Sequence, residues 1–326
     1  MAKEKTFNEF LRNSSVYLIL LGLVVIFTTL TPRFLSLTNL INVFLQTSIV
    51  ALLAIGQTFV MLTGGIDLSV GMVGICCGAI AAGFATGYGF GFILGTYPAL
   101  ILGLLLGATL GGISGLLIIL GNFPPFVATL VMMTIAQGIT LVFTQGRPIA
   151  GLPSSFIFWG SGSVGGIPMP VLLLFIVVVL AYFLLTRTSF GLYIYAIGGN
   201  KEMARLSGIS ARKVELAAYI ISGLTAALGG LILTGRLASA QPNVGEGLNL
   251  DSIAACVLGG TSLFGGKGNV LKTLVGALIM GTLANGLNLI GVPSYPQLVI
   301  KGLVFIAAVT LYIVSSRKQL KLSLKN

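Results

Sequence analysis

Histidine is absent from this 326-residue chain, and charge is scarce: only 8% of residues are Asp, Glu, Lys or Arg, and just seven of those are acidic. Without His the chain lacks the commonest metal ligand and the commonest proton shuttle. Soluble domains carry about a quarter charged residues, so the low figure excludes an ordinary soluble domain. Cys76, Cys77 and Cys256 lie in apolar stretches. Their spacing suits neither a disulfide framework nor a metal site, and no catalytic constellation stands out. What the chain has instead is apolar residue: 56% hydrophobic, with a mean hydropathy of +1.06. This is the composition of an all-α polytopic membrane protein. The net charge of +11 could suggest a nucleic-acid partner. The basic residues lie between apolar runs, however, where they set topology, and no nucleic acid is expected.

A helical span needs about 20 apolar residues. Candidates cover residues 14–30, 40–63, 68–86, 98–120, 126–143, 168–185, 214–234, 252–264, 270–290 and 297–314. The eighth is short and broken by glycine, so it either crosses with help or re-enters. The N-terminal run has a basic flank but no small-residue cleavage site, and reads as a retained anchor. With ten crossings and the N-terminus inside, the inner face holds Lys3, Lys5, Arg12, Arg187, Lys201, Arg205, Arg212, Lys213, Lys267, Lys272, Arg317, Lys318, Lys321 and Lys325. The outer face holds only Arg33, Arg147, Arg236 and Lys301. This bias favours about ten crossings, some of them short or broken, with both termini in the cytoplasm. The expected organisation is a cytoplasmic segment 1–13, one transmembrane domain 14–316 and a basic tail 317–326. The external loops at 144–167 and 235–250 are natural docking surfaces or plain connectors.

The longest polar interruption is residues 187–213. Gly198-Gly199-Asn200 is a turn signal that can also cap a helix. The good helix formers Lys201, Glu202, Met203, Ala204, Arg205, Leu206 and Ser207 follow, and Gly208 stops them. Glu202 sits in the first turn, where an acid complements the helix dipole. Two turns are not stable alone, so this helix must dock on something, unless the loop only fixes topology.

Within the spans, Thr63-Gly64-Gly65-Ile66-Asp67-Leu68-Ser69 is the most distinctive string. Asp67 is either a functional group or the cap of a tight inter-helix turn. Gly103, Gly107, Gly111 and Gly115 recur every fourth residue and form a small-residue seam for close helix packing. The candidates for lining a path for a neutral polar solute are Gln57, Gly64, Gly65, Asp67, Thr134, Gln137, Asn285 and Asn288, of which the uncharged polar side chains can equally bond helices together. The glycine-rich string at 258–268 is no phosphate loop, because Gly268 stands where Ser or Thr must follow Lys267. Residues 252–266, which overlap it, faintly echo residues 48–65, a possible internal repeat.

Three strings resemble the ribose-type sugar permeases of ATP-binding-cassette importers: GGNKEMARLSGIS, GGIDLSVG, and LGGTSLFGGKG with the GTLANGLNLIG that follows it. Glu202-Met203-Ala204, then Gly208 after three residues, looks like the E-A-A-x-x-x-G loop of such permeases, with Met203 in place of an Ala. The resemblance runs from about residue 31 to 314. It implies a homodimer in the bacterial inner membrane, a cytoplasmic ATPase docked on residues 200–208, and an external sugar-binding protein. It also implies that ATP and magnesium are bound by the ATPase, so that this chain is a pore subunit with no cofactor and no enzymatic activity of its own. The alternatives are an ion-coupled secondary transporter of a small polar solute and a membrane scaffold.

Overall fold

The computed structural model describes residues 2–323, with side chains described from 16 to 310. The terminal charges Lys3, Lys5, Arg12, Arg317, Lys318, Lys321 and Lys325 lie outside the described side chains. In chain order the helices are α1 (Ala2–Leu30), α2 (Leu37–Leu62), α3 (Val70–Thr86), α4 (Thr96–Ile119), α5 (Pro125–Thr144) and α6 (Ser154–Ser161). A two-stranded antiparallel hairpin, β1 (Ser163–Val164) with β2 (Ile167–Pro168), follows. Then come α7 (Met169–Arg187), α8 (Ser189–Gly199), α9 (Lys201–Leu206), α10 (Ala211–Arg236), α11 (Leu248–Leu258), α12 (Val270–Leu289) and α13 (Ser294–Ser323).

Each of the ten candidate spans overlaps one of these helices, most of which run past the expected bounds at one end or both. Among the described residues six of them, α2, α4, α5, α7, α10 and α12, are long and apolar enough to cross a membrane. Their burial sorts them into layers. The apolar windows of α2, α10 and α12 are 83%, 67% and 67% buried, against 33% or less for α4, α5 and α7. The first three form the interior and the others wrap it.

Glycine allows the central contact. A Cβ on Gly107 or Gly111 of α4 would strike the α10 backbone at Gly223 or Tyr219, and one on Gly223 would strike Gly107. On the opposite side Gly74 of α3 lies against Ala226 and Gly230. With no Cβ in the way, backbones approach closely enough for dispersion and Cα–H···O contacts to replace the hydrophobic effect, which is missing between helices in lipid. Gly103 and Gly115 extend the seam against Leu231 and Leu216.

The eighth candidate needs correction. The helix there is α11, which begins at Leu248, before the expected Ser252, and ends at Leu258 instead of Phe264. In its first turn Asp251 accepts from Lys301 of α13 at 2.6 Å, a partner that the local sequence hides. That cation offsets the cost of burying the carboxylate, while the acid's place in the first turn suits the helix dipole. Lys301, expected among the outer-loop charges, is therefore an internal ion-pair partner. At eleven residues α11 is about 16 Å long, roughly half the hydrocarbon thickness. The chain nevertheless traverses the molecule here. α10 ends at Arg236, while Gly266 donates to the carbonyl of Leu62 (3.0 Å) beside Gly198, on the face where α10 begins. The echo between residues 48–65 and 252–266 joins unlike elements, an uninterrupted 26-residue α2 and the short α11.

α3 is the second short helix that starts inside the structure. Its N-terminus meets that of α11, with Gly71 packed on Gly245, Leu248 and Asn249. Within the stretch expected as a polar loop, Ser189–Gly199 forms α8. Its Ile194 and Ile197 are buried, and Phe190 stacks on Phe59 of α2 at 6.1 Å.

Candidate functional site

The short helix α9 stands out from the surface while its base is fixed. Asn200 is its N-cap, accepting from Met203 N–H at 3.0 Å. An Asn at this position satisfies one of the donors left open at a helix start. Ala204 is buried against the body of the protein. Lys201 forms an ion pair at 2.5 Å with Glu215 of α10, whose side chain is 9% exposed, so α9 is tied to the first turns of a central helix. Glu202 accepts from Arg205 at 2.7 Å on the open side, and this bond raises the pKa of the already cationic Arg205. Ser207 closes the helix, donating its hydroxyl to Met203 O. Gly208 turns the chain back with φ +81°. Met203 and Leu206 are left facing outward, 60% and 72% exposed. A six-residue helix with two apolar side chains in solvent is built to be covered.

Next to α9 lies the loop 259–269. Tyr195 of α8 donates to Gly268 O at 2.9 Å. A Cβ built on Gly265 would lie about 3 Å from the backbones of Gly198 and Gly64, so three backbone segments meet with no side chain between them. The loop's own turn is held by Ser262 N–H on Lys267 O (2.7 Å) and Phe264 N–H on the Ser262 hydroxyl (3.1 Å).

Asp67 is 1% exposed, near the middle of the bundle. One carboxylate oxygen accepts from Ser69 N–H (2.9 Å) and Ser69 hydroxyl (2.6 Å), a turn that launches α3. The other oxygen accepts from Ser222 of α10 at 2.7 Å. Gln57, in the amide orientation its partners require, donates to Asp67 O (2.9 Å) and accepts from Asp67 N–H (3.1 Å). Gly65 is buried beside the Tyr219 hydroxyl, and Gly64 lies open against Phe264 O. Asp67 and Gln57 thus pin the break between α2 and α3 to α10.

The other polar candidates lie elsewhere. Asn285 of α12 and Asn39 of α2 exchange two amide hydrogen bonds, each 3.0 Å. Asn288 accepts from Gln297 of α13 at 2.7 Å. Thr134 lies on the exposed side of α5 and donates to its own Leu130 carbonyl, while Gln137 is half-buried. Among the described residues no hydrogen bond joins Asn285, Asn288, Thr134 or Gln137 to one another. Sequence reasoning missed Glu215 and Phe264. The signal for Glu215 was a lone acid in the apolar α10, four residues after Ala211.

On the opposite face, Ile149 and Ala240 exchange backbone hydrogen bonds of 3.0 and 2.9 Å. They join the loops after α5 and after α10 into one surface, which presents Arg147 in the open.

Residues 39–309 match the family described as branched-chain amino acid transport system / permease component. The chain is similar to the ribose import permease protein of Haemophilus influenzae, 45% identical over 95% of this chain and 97% of that one. It is 48% identical to the ribose import permease protein of Bacillus subtilis, over 94% of each. It is 40% identical to the D-allose transport system permease protein of Escherichia coli, over 95% of each. No solved structure matches the chain.

Proposed function

The chain belongs to the branched-chain amino acid transport system permease family, and on that premise we propose that it is the membrane-spanning subunit of an ATP-binding-cassette importer for ribose or a related neutral sugar. The sugar reading follows the relatives named for ribose and allose, over the amino acids in the family's description. Its place is the bacterial inner membrane, with both termini in the cytoplasm, as the bias of basic residues toward the face of α9 favours. It works as a homodimer, with ATP and magnesium bound by a separate cytoplasmic ATPase. A sugar-binding protein delivers cargo to the opposite face, where the joined 144–167 and 235–250 loops offer a continuous surface.

The observation that carries this reading is α9: a capped, body-anchored helix with Met203 and Leu206 exposed at its tip. When the ATPase closes, a groove holding α9 pulls on α10 through the Lys201–Glu215 ion pair and on α8 through the Asn200 junction. The carboxylates inside the bundle fit an ion-coupled transporter less well. Asp67 is enclosed by Ser69 and Ser222, and Asp251 is paired with Lys301. The test is cross-linking of Met203→Cys and Leu206→Cys to cysteines on the ATPase. Cross-links whose yield changes with nucleotide are expected. Their absence in an assembled complex would remove the docking reading.

A further inference from the structure

Phe264 is the most exposed phenylalanine among the described residues, 80% open to solvent at the tip of the 259–269 loop. It is not a stray side chain on a mobile loop. Its backbone is fixed by the Ser262 hydroxyl, and the loop is bonded to α2 through Leu62 and to α8 through Tyr195. Gly198, two residues before the Asn200 cap of α9, packs on Gly266 with backbone close to backbone. The exposed Lys267 follows three residues after Phe264. A rigid, outward aromatic beside a cation, on the face that presents Met203 and Leu206, has the composition of an interface anchor.

We propose that the 259–269 loop, through Phe264 and Lys267, is a second docking element for the same cytoplasmic ATPase that receives α9. This rests on the docking reading of α9 and extends it. The occupant follows from continuity: the loop shares its backbone packing with the base of α9, so a protein covering Met203 and Leu206 reaches Phe264 as the next apolar group. The consequence is mechanical. α9 leads to α10, whereas the loop joins the C-terminus of α11 to the N-terminus of α12. A partner holding both moves α10 and the half-length α11 together, and α11 carries Asp251 and its pairing with α13.

The experiment uses the complete complex of permease, ATPase and binding protein in nanodiscs. Cys76, Cys77 and Cys256 are buried, so single introduced cysteines can be read in the otherwise native chain. Phe264→Cys should cross-link to the ATPase as Met203→Cys does. Phe264→Ala, which removes no internal packing, should weaken ATPase affinity for the permease about tenfold, as loss of an aromatic anchor does. If Met203→Cys cross-links while Phe264→Cys does not and Phe264→Ala binds normally, α9 is the sole contact and this inference is overturned with the docking reading intact. If neither cross-links, both readings fall. Quenching of a probe at position 264 by lipid-borne nitroxides would assign the loop to the bilayer surface and also overturn it.

Discussion

Replacing Gly208 by valine separates backbone geometry from contact. Gly208 has φ +81°, and a Cβ built there meets nothing within 4 Å. No steric collision is involved, so any effect comes from forcing a β-branched residue into the left-handed region. That costs about 1–3 kcal/mol, or roughly a 5- to 150-fold shift in population. The strain falls on the turn that aims α9, a helix of six residues held by one cap and one ion pair to α10. Relief comes most easily by re-aiming α9, because the flanking α10 is packed on three sides. With purified complex in proteoliposomes, Gly208→Val should retain ATP hydrolysis and lose most sugar uptake per ATP. Gly208→Asn should behave close to the parent, since Asn visits the left-handed region at little cost. Equal uptake per ATP for Val and Gly would refute the reasoning. Equal damage from Asn and Val would mean that contact at this position matters, and not its backbone angle.

Lys201→Met should loosen α9 by leaving the nearly buried Glu215 without its cation, at a cost between an exposed pair, under about 1 kcal/mol, and a buried one, about 3–5 kcal/mol. Uptake should fall, and adding Glu215→Gln should restore part of it; a double mutant no better than the single would dissolve the proposed latch. Gly107→Leu puts a large side chain where α10 backbone sits, and should abolish assembly in a size-exclusion assay, while Leu105→Ile on the exposed face should not. Asp67→Asn keeps an acceptor for Ser69 N–H and should cost little thermal stability. Asp67→Leu leaves the Ser69 and Ser222 donors unmet, at about 1–3 kcal/mol for each buried group. Loss of transport in Asp67→Asn with unchanged stability would show that the charge acts in transport.

Local chemistry was readable wherever the cause was local. The cap, the helix formers and the terminating glycine of α9 lie within nine residues, and all three are found in the structure. The apolar spans were legible for the same reason, because hydropathy is a property of the segment itself. What escaped depended on distant partners. Asp251 of α11 pairs with Lys301, fifty residues away. Asn285 meets Asn39 across 246 residues. α8 was hidden because its apolar run abuts a charged stretch, and its burial against Phe59 exists only after α2 has packed. The 144–167 loop gave no sign of α6 and its hairpin, whose Gly160 fits against Gly235 at the end of α10. Substrate contacts share this obstacle: polar residues in the spans look alike until their partners are known.

The most direct test of sugar import by an ATPase-driven complex is uptake into proteoliposomes containing the permease, its ATPase and its binding protein. Labelled ribose and leucine are supplied outside, with ATP and magnesium on the ATPase side, with and without ionophores that collapse proton and sodium gradients. Ribose or a closely related sugar should accumulate only with hydrolysable ATP and at the same rate when the gradients are gone. Accumulation of leucine in place of any sugar, or sugar uptake that follows an ion gradient without ATP, would contradict the account.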